Sequence, residues 1–550
     1  MLKSSGAMGA ATLSSRLLGM VREILYARFM GDGPVAGAFK LAFMVPNLFR
    51  RLLGEGALTA AFIPIFKEKE RTSGEAEMWR AANVVISGLI VAATVIIGIV
   101  LVGVTLVLAS DSMGWAQRMG PWIPLATNAP AAFPDSPVAG WLRPETRLML
   151  ELLRVMFPYM LLVCLAAIFM GMLNARGHFF VPAMGAAVLN GVLIVTVVWV
   201  APNFGKTIDT QIFALAFGVL VAGVAQALYQ LPILWREGFR YQWISPWHNE
   251  TVRQVVRKMI PGMLGIAAFQ LNVLVTQGLA SMLDWRIVAS FDYAVRLMEL
   301  PQGVFGISLA TYLLPTLSGL AAEKKFGEFR ITLNQALGFL IFANLIASVL
   351  LMVLAEPIVR LLFERGEFNA SSTHRAAFAL ACLAPGLIAF SMVNILARAF
   401  YALGDTQTPM KISCFCLLIN IAFVLWLVVP FAQGGLGIAN TMSAAVNVGL
   451  LLYALRRKLK HLDFGRLREI ILTMLAGAVL GGVAAWLSSR LWENWIGHGR
   501  FDKKFGAVFV PIAMGSLVYF IASALLRVPQ ARQAFALLRG KSGRGRTLEP

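Results

Sequence analysis

The chain has 550 residues, of which 58% are hydrophobic and 14% are charged, and its formal net charge is +20. Its mean hydropathy is +0.73, which excludes an ordinary soluble domain and a disordered chain. Apolar runs long enough to cross about 30 Å of hydrocarbon as a helix recur along the whole sequence. The composition therefore predicts an all-α polytopic membrane protein.

We predict fourteen transmembrane helices in chain order. They span about 8–30, 34–66, 78–109, 146–175, 179–201, 210–236, 251–283, 286–320, 328–355, 371–403, 408–430, 434–457, 466–490 and 505–527. Proline residues inside these runs, at Pro46, Pro158, Pro301 and Pro385, predict tilted or bent helices.

The basic residues follow this topology. With the N-terminus inside, the predicted inner loops and tail hold about twice as many lysines and arginines as the outer loops. Arg360, Arg365 and the stretch 500–504 run against this asymmetry. The pattern predicts a multi-pass protein with both termini in the cytoplasm. It also favours a solvated, lipid-attracted tail over a nucleic-acid site.

The residues that usually mark enzymes and metal sites are scattered. Four cysteines, Cys164, Cys382, Cys414 and Cys416, fall within predicted helices and are interpreted as small apolar residues. The five histidines form no ligand cluster with them, and the sequence has no Walker loop, GxSxG or HExxH motif. We therefore expect no metal or organic cofactor, no enzyme of a recognised kind and no ATP-driven pump.

An internal repeat sets the predicted domain organisation. Residues 157–182 align without gaps onto residues 384–409, and five positions are identical. The identical pairs are Pro158/Pro385, Ile168/Ile395, Ala175/Ala402, Gly177/Gly404 and Pro182/Pro409. The two copies are six helices apart, an even number, so the repeat is parallel. This predicts two six-helix lobes, 1–240 and 250–460, followed by two helices and a basic cytoplasmic tail in 464–550.

The first helix carries four charges in an apolar setting, at Arg16, Arg22, Glu23 and Arg28. A charge at the bilayer centre costs roughly 2.5 to 3.5 kcal/mol, so such residues normally face protein or water. Arg28 lies near the helix end, where its side chain can reach the interface. A structural ion pair with Glu23 and a functional site are both open explanations for Arg16 and Arg22.

The second helix carries a continuous polar stripe. Lys40, Asn47, Arg51 and Glu55 recur at i, i+7, i+11 and i+15, with Arg50 beside them. Facing lipid, such a stripe would be prohibitively costly.

The eighth helix repeats the pattern with Asp292, Arg296 and Glu299. It holds the place in the second lobe that the second helix holds in the first. Polar stripes at matched places predict one hydrated central cavity between the lobes, with more cations than anions. A positive cavity favours an anionic substrate.

At these residues the chain resembles a known family. The stretches that carry the resemblance are SRLLGMVREILYARFMG, PNLFRRLLGEGALTAAFIPIF, RLMELPQGVFGISLATYLLPTLS, LFERGEF and YALGDTQTP. They look like the MurJ (MviN) lipid II flippases of the multidrug/oligosaccharidyl-lipid/polysaccharide exporter superfamily, and the resemblance runs through nearly the full length. It implies a carrier in the bacterial inner membrane. This carrier would move the undecaprenyl-diphosphate-linked disaccharide pentapeptide, lipid II, from the inner to the outer leaflet.

The resemblance also assigns residues. The arginines of the family's cavity match Arg16, Arg22, Arg50 and Arg296, and the acidic neighbour in the first helix is Glu23. Other positions that fall near the family's cavity are Ala27, Asn47 and Glu55.

The chain departs from the family pattern at two positions. Gly37 stands where many relatives carry an aspartate, and Val295 precedes Arg296 where many carry an Asp-Arg pair. Asp292 is the candidate for the displaced acidic role, and Lys40 adds a cation nearby.

The resemblance further implies an apolar groove for the prenyl tail in helices 13 and 14, which from sequence alone could equally be an assembly surface. The expected partners are lipid II and membrane lipids, and no nucleic acid is expected. The transporter is expected to be a monomer. Contacts to the cell-wall synthesis machinery are left open. Coupling to Na⁺, H⁺ or the membrane potential is also left open. The alternatives are a flippase for another polyprenyl-linked glycan and a cation-coupled multidrug antiporter, whose site should be acidic and aromatic. A membrane enzyme acting on prenyl phosphates would need acidic clusters, which the sequence lacks.

Overall fold

The structure, a computed structural model, describes residues 2–52, 57–112, 142–303, 308–459 and 464–532. Throughout these ranges the regular secondary structure is helical. The chain divides into two compact units, Met1–Ala289 and Ser290–Pro550. The tail beyond residue 532 and the site candidate Glu55 lie outside the described residues.

The first unit begins with the two helices that carry most of the predicted site. Its helices are α1 (Leu2–Met30), α2 (Pro34–Phe49), α3 (Ala57–Ser112), α4 (Pro144–Met156), α5 (Tyr159–Ala175), α6 (Phe180–Val195), α7 (Ile208–Leu228) and α8 (Glu250–Leu283). A π-helical turn at Thr196–Val200 and a short helix at Ala201–Phe204 extend α6, and a short helix at Leu231–Arg236 follows α7. The helix α1 packs on α6, α2 on α4, and α3 on both α5 and α8.

The helix α9 (Trp285–Pro301) crosses the boundary between the units. The second unit continues with α10 (Ser308–Ala322), α11 (Phe326–Val353), α12 (Ala355–Phe363), α13 (Ala370–Leu383), α14 (Gly386–Ala402), α15 (Gln407–Leu459), α16 (Phe464–Trp495) and α17 (Phe501–Leu525). The last two helices pack on each other and on α11. The Tyr519 hydroxyl of α17 donates to the Phe342 carbonyl of α11 at 2.9 Å.

The repeated segments have the same local structure in both units. The helices α4 and α5 meet at Pro158 with a bend of 44°, and α13 and α14 meet at Pro385 with a bend of 47°. Each second helix of the pair has 17 residues and is followed by a glycine with positive φ, 88° at Gly177 and 74° at Gly404. The bends predicted at Pro158 and Pro385 are confirmed. They arise because proline removes a backbone donor and cannot continue the preceding helix.

One predicted helix is interrupted and one predicted loop was wrong. The predicted helix 34–66 is α-helical from Pro34 to Phe49 and again from Ala57, residues 50–52 form a π-helical turn, and residues 53–56 lie outside the described residues. The predicted inner loop 67–80 is helical on both sides of a kink at Gly74, whose φ is 85°. Charged residues also occur in helix ends that lie in water. The prediction used polarity alone and therefore assigned too many residues to the loop.

The helices are those of a polytopic membrane protein. Within the described ranges, seven helices are long and apolar enough to cross a membrane, or up to nine when each bent pair counts as one span. The helices α2 and α9 carry the polar stripes and have 16 and 17 described residues. They are too short to be counted among these membrane-spanning helices.

The basic residues that oppose the predicted charge asymmetry are largely paired with acids. Arg360 contacts Glu356 at 2.5 Å and Glu493 at 3.0 Å, and Lys504 contacts Glu364 at 3.1 Å. These contacts connect α12 with both ends of the α16–α17 connection, within the second unit. These ion pairs give the basic residues a structural role in joining the three helices.

Candidate functional site

Glu23 is a buried carboxylate that joins the first two helices. Its Oε1 accepts from Arg22 Nη2 at 2.5 Å, and its Oε2 lies 3.8 Å from Lys40 Nζ on α2. The three side chains are at most 12% exposed. Buried charges this close together stabilise one another, because removing one of them would leave an opposite charge buried without compensation. The ion pair considered from the sequence is present between Arg22 and Glu23, and Lys40 leaves the group with a surplus of one cation.

A residue of α6 orients the Arg22 guanidinium. Asn190 Oδ1 accepts from Arg22 Nη1 at 2.9 Å, and Asn190 Nδ2 donates to the Ser15 carbonyl of α1 at 3.2 Å. Arg22 also lies over the ring of Tyr26, 5.5 Å from its centroid. The guanidinium is thus held by an acid, an amide and an aromatic face, which fixes its plane.

The other predicted residues of α1 and α2 lie at different depths. Ala27 is fully buried, Asn47 and Arg50 are half-buried, and Arg16 is exposed. Arg16 precedes Glu23 by two helical turns, about 10 Å along the axis. Arg51, in the π-helical turn after α2, donates from Nη1 to Gln270 Oε1 of α8 at 3.2 Å. The structure therefore groups Arg22, Glu23 and Lys40 and leaves Arg16 apart from them.

The second unit contains a matching charged group on α9. Arg296 Nη1 donates to Glu299 Oε2 at 3.0 Å, and Arg296 Nη2 lies 3.9 Å from Asp292 Oδ1. The Arg296 side chain is 35% exposed, so unlike Arg22 it stays open to a ligand or water. The three residues share one face of α9, as their spacing predicts.

Aromatic packing fixes the side of α9 about a quarter turn from the charged face. Tyr293 is fully buried, with its ring 5.0 Å from that of Phe363 and 5.4 Å from that of Phe368. Both phenylalanines belong to the LFERGEF stretch. This stretch therefore packs against α9 beside its charged face and limits the rotation of the helix.

The two departures from the family pattern have different structural settings. A Cβ atom on Gly37 would overlap the carbonyl oxygen of Trp285, so α2 and the start of α9 meet backbone to backbone here. Val295 is half-buried, and its neighbour Arg296 takes Asp292 and Glu299 as its acidic contacts instead.

A second ionic network lies at the connections that are predicted to face the cytoplasm in the first unit. Arg176 contacts Glu70 at 2.6 Å, Glu75 at 2.8 Å and Glu237 at 2.8 Å, and His178 Nε2 donates to Glu237 Oε1 at 2.8 Å. The hydrogen bond from His178, followed by that from Arg176, holds the pKa of Glu237 below its usual value. The network ties the kinked part of α3 to the α5–α6 and α7–α8 connections.

The equivalent connection of the second unit uses the opposite polarity. Asp405, at the position that aligns with His178, contacts Lys458 Nζ at 2.7 Å near the end of α15. This ammonium, together with hydrogen bonds from Thr408, lowers the pKa of Asp405 to about 2.

Comparisons with known proteins give the family. Residues 26–505 match the family described as "Lipid II flippase MurJ". The chain is 33% identical over 527 residues to the "Probable lipid II flippase MurJ" of Rhizobium tropici, across 94% of this chain and 93% of that protein. It is 30% identical to the "Lipid II flippase MurJ" of Burkholderia cenocepacia, across 88% and 89% of the two chains. This chain belongs to the MurJ lipid II flippase family.

Solved structures agree at the level of the fold. One described as "Lipid II flippase MurJ, inward closed conformation" matches with a TM-score of 0.75 at 22% identity, covering 96% of this chain and 99% of that one. An inward-facing MATE family multidrug resistance transporter of the MOP superfamily matches with a TM-score of 0.62 at 16% identity, covering 82% and 95%. At these identities the likeness shows the fold alone.

Membership in the MurJ family confirms the resemblance seen in the sequence. It makes this protein a multi-pass membrane transporter of a bacterial family, and not an enzyme. It does not test the individual site residues, which remain predictions.

Sequence reasoning missed several side chains that contact the predicted residues, notably Asn190, Tyr26 and Gln270. One signal was available, because Asn190 is an isolated amide in the apolar stretch AAVLNGVLIV, and polar residues at such depth are usually functional or paired. Its partner on α1 could not be identified, because the two residues are far apart in the chain.

Proposed function

We propose that this protein moves lipid II from the inner to the outer leaflet of the bacterial cytoplasmic membrane by alternating access. Membership in the MurJ family across residues 26–505 supports the substrate class. The buried Arg22–Glu23–Lys40 group is the observation that carries the proposal for this chain, because it holds a guanidinium and an ammonium around one carboxylate inside an apolar unit. An anion is the ligand that such a group favours.

The diphosphate of lipid II suits this chemistry. A guanidinium binds phosphate oxygens through two parallel N–H donors, which gives both charge and orientation. We assign Arg16, Arg22, Arg50 and Arg296 to the diphosphate. Other residues assigned to the site are Lys40, Arg51, Ala27, Asn47 and Glu55, with Glu23, Asp292 and Glu299 limiting its net charge.

The proposal includes a topology. Fourteen transmembrane helices would form two parallel-related six-helix lobes, 1–240 and 250–460, and helices 13 and 14 in 464–550 would receive the prenyl tail. The basic loops and tail support a cytoplasmic location for both termini. The transporter would work as a monomer.

A reconstitution experiment tests this function. Purified full-length protein in liposomes should move fluorescent lipid II between leaflets, measured by its accessibility to a membrane-impermeant quencher. A lipid carrying another glycan on the same prenyl diphosphate and a cationic dye serve as parallel substrates. Equal transport of the second glycan would broaden the substrate to polyprenyl-diphosphate glycans in general. Transport of the dye without lipid II would overturn the proposal in favour of a multidrug antiporter.

A further inference from the structure

The connection between α7 and α8 exposes large aromatic side chains although it is firmly held. Trp235, Tyr241, Trp243 and Trp247 are 45% to 68% exposed. Exposed tryptophan and tyrosine side chains are typical of the membrane–water interface, where the ring contacts acyl chains and the polar atom contacts water.

The backbone of this connection is fixed to the first unit. Phe239 is buried, with its ring 5.6 Å from that of Trp79. Asn83 Nδ2 donates to the Arg240 carbonyl at 3.0 Å, and Tyr241 lies 3.3 Å from the Ser87 hydroxyl. The aromatic residues are therefore presented outward by a supported backbone rather than by a loose loop.

An open groove of about 420 Å³ continues this surface onto the first turns of α8. Arg253 and Arg257 lie one turn apart along it, and Val256 and Ile260 supply an aliphatic side that is 39% and 49% exposed. The helix α8 has 34 residues and is about 51 Å long, which exceeds a hydrocarbon core of about 30 Å. Its first turns therefore extend into the headgroup layer, with Ile260 nearest the hydrocarbon.

The charge of this surface is positive. Its cations, all exposed, are Arg236, Arg240, Arg253, Arg257 and Lys258. Glu237 is already engaged by Arg176 and His178, and Glu250 faces Arg253 at 3.7 Å with both side chains exposed. The surface keeps a cationic surplus on the side where the basic loops are predicted.

We infer that this groove binds an anionic phospholipid of the adjacent leaflet, with its phosphate at Arg253 and Arg257 and its acyl chain along Val256 and Ile260. On α8 the two arginines and the two aliphatic residues share one face, so one phospholipid can place its phosphate at the guanidinium groups and an acyl chain on the apolar side chains. The exposed aromatic residues lie in the connection just before this helix. A soluble anion would use the arginines but not the aliphatic side. The site is separate from the Arg22–Glu23–Lys40 group.

Native mass spectrometry of the full-length protein in detergent tests this site without any lipid II, so its outcome is independent of the transport proposal. Phosphatidylglycerol and phosphatidylcholine with the same acyl chains are the probes. Wild type should retain phosphatidylglycerol in preference to phosphatidylcholine. R253Q/R257Q should weaken phosphatidylglycerol binding by on the order of 10- to 30-fold, because each of the two cations contributes a similar share of the binding free energy to an anionic lipid.

Matched variants separate this site from general charge. R71Q/R80Q removes two exposed arginines from the same unit and the same predicted side and should bind phosphatidylglycerol like wild type. V256S/I260S keeps both arginines and should still weaken phospholipid binding several-fold, because it removes apolar contact. Elution volume and melting temperature verify that each variant is folded.

Four results would overturn the inference. Equal retention of the two lipids by wild type would remove the headgroup selectivity, and equal losses in both double-arginine variants would mean diffuse electrostatic attraction. Unchanged binding by V256S/I260S would leave only a soluble-anion site. A protein dimer that dissociates in R253Q/R257Q, in place of lipid loss, would assign the groove to a second copy of the chain.

Discussion

Gly37 of α2 contacts the backbone of Trp285 at the start of α9, and a Cβ atom at Gly37 would lie 3.2 Å from the Trp285 Cβ and overlap its carbonyl oxygen. Trp285 itself is 5% exposed. The space that an aspartate would need at this position is therefore filled. The glycine is a requirement of helix packing in this chain.

We expect Gly37→Ala to lower the melting temperature of the purified protein, because overpacking typically costs about 1–3 kcal/mol. Gly37→Asp should be more damaging, since it adds a charge to a buried contact. Gly33→Ala is the matched control on the same helix, because a Cβ there would meet only the Met30 carbonyl oxygen at 4.0 Å. Equal melting temperatures for wild type and Gly37→Ala would show that α2 and α9 separate without cost.

Asn190 gives a way to change the charge of the Arg22 group without touching Arg22. Asn190→Asp replaces a neutral acceptor with a carboxylate and cancels the single surplus cation of Arg22, Glu23 and Lys40. We expect transport of lipid II to fall at least tenfold while the protein still folds, because the group no longer favours an anion. Asn190→Ala removes the hydrogen bond but keeps the charge, and should lose less. Wild-type transport by Asn190→Asp would contradict the assignment.

Arginine geometry should matter as well as arginine charge. Replacing Arg22 or Arg296 by alanine should lower transport by about 10- to 100-fold, the range expected when a charge-assisted hydrogen bond is lost. Lysine should restore only part of the activity, because an ammonium cannot form the bidentate contact. Liposome transport assays on protein of verified insertion measure this. Full activity of both the alanine and lysine variants would make these arginines structural.

The sequence predicted best what depends on local chemistry. Pro158 and Pro385 bend their helices because proline cannot donate to the preceding turn, and this holds in any context. The spacing of Asp292, Arg296 and Glu299 likewise places all three on one face of α9, where the ion pairs are found.

What the sequence missed depends on contacts between distant residues. The hydrogen bond from Arg22 to Asn190 joins α1 to α6, and the Gly37–Trp285 contact joins α2 to α9. Neither partner can be chosen from local pattern, because many apolar helices could pack in many registers. The extent of helix around Gly74 was missed for a different reason: charged residues fit equally well in a loop or in a solvated helix.

Asp405 and Lys458 predict a pH dependence of stability. The pKa of Asp405 falls from its usual 3.8 to about 2 in the folded protein, so their contact stabilises the fold above about pH 4 and is lost as the pH falls towards 2. Asp405→Asn should lower the melting temperature at pH 7, and its difference from wild type should shrink below pH 4. Asparagine keeps an acceptor for the Thr408 amide but loses the second carboxylate oxygen, which accepts from Lys458 and the Thr408 hydroxyl, so the pH dependence of the difference identifies the charge.

The control for this prediction is Asp502→Asn, in the same unit. Asp502 contacts Arg500 at 3.4 Å, but the two side chains are 67% and 81% exposed, and such pairs contribute little. Its melting temperature should match wild type across the pH range. A constant gap between Asp405→Asn and wild type down to pH 2 would mean that the effect is not electrostatic.

The charge of the site predicts how the membrane potential acts on transport. Moving one elementary charge across 100 mV changes the free energy by roughly 2.3 kcal/mol, and an inside-negative potential favours inward movement of cations. On the proposed assignment, bound diphosphate would offset much of the positive charge of Arg16, Arg22, Arg50 and Arg296, so the loaded carrier would turn outward with little electrical penalty. The empty carrier would again be cationic. We therefore expect the potential to drive its return to the inward-open state, with no coupled ion required.

Cysteine labelling at Asn47, which is half-buried and which the family resemblance places near the site, can follow this return in cells or inverted vesicles. Collapsing the potential with K⁺ and valinomycin, at constant pH and Na⁺, should lower the fraction of Asn47→Cys that is labelled from the cytoplasmic side. The charge-reduced variant Asn190→Asp should respond less, because it carries fewer positive charges through the field. Labelling that is independent of the potential but changes with pH or Na⁺ would contradict this prediction. The return step would then be driven by a coupled H⁺ or Na⁺, because the charge of the arginines in the membrane potential would not supply its free energy.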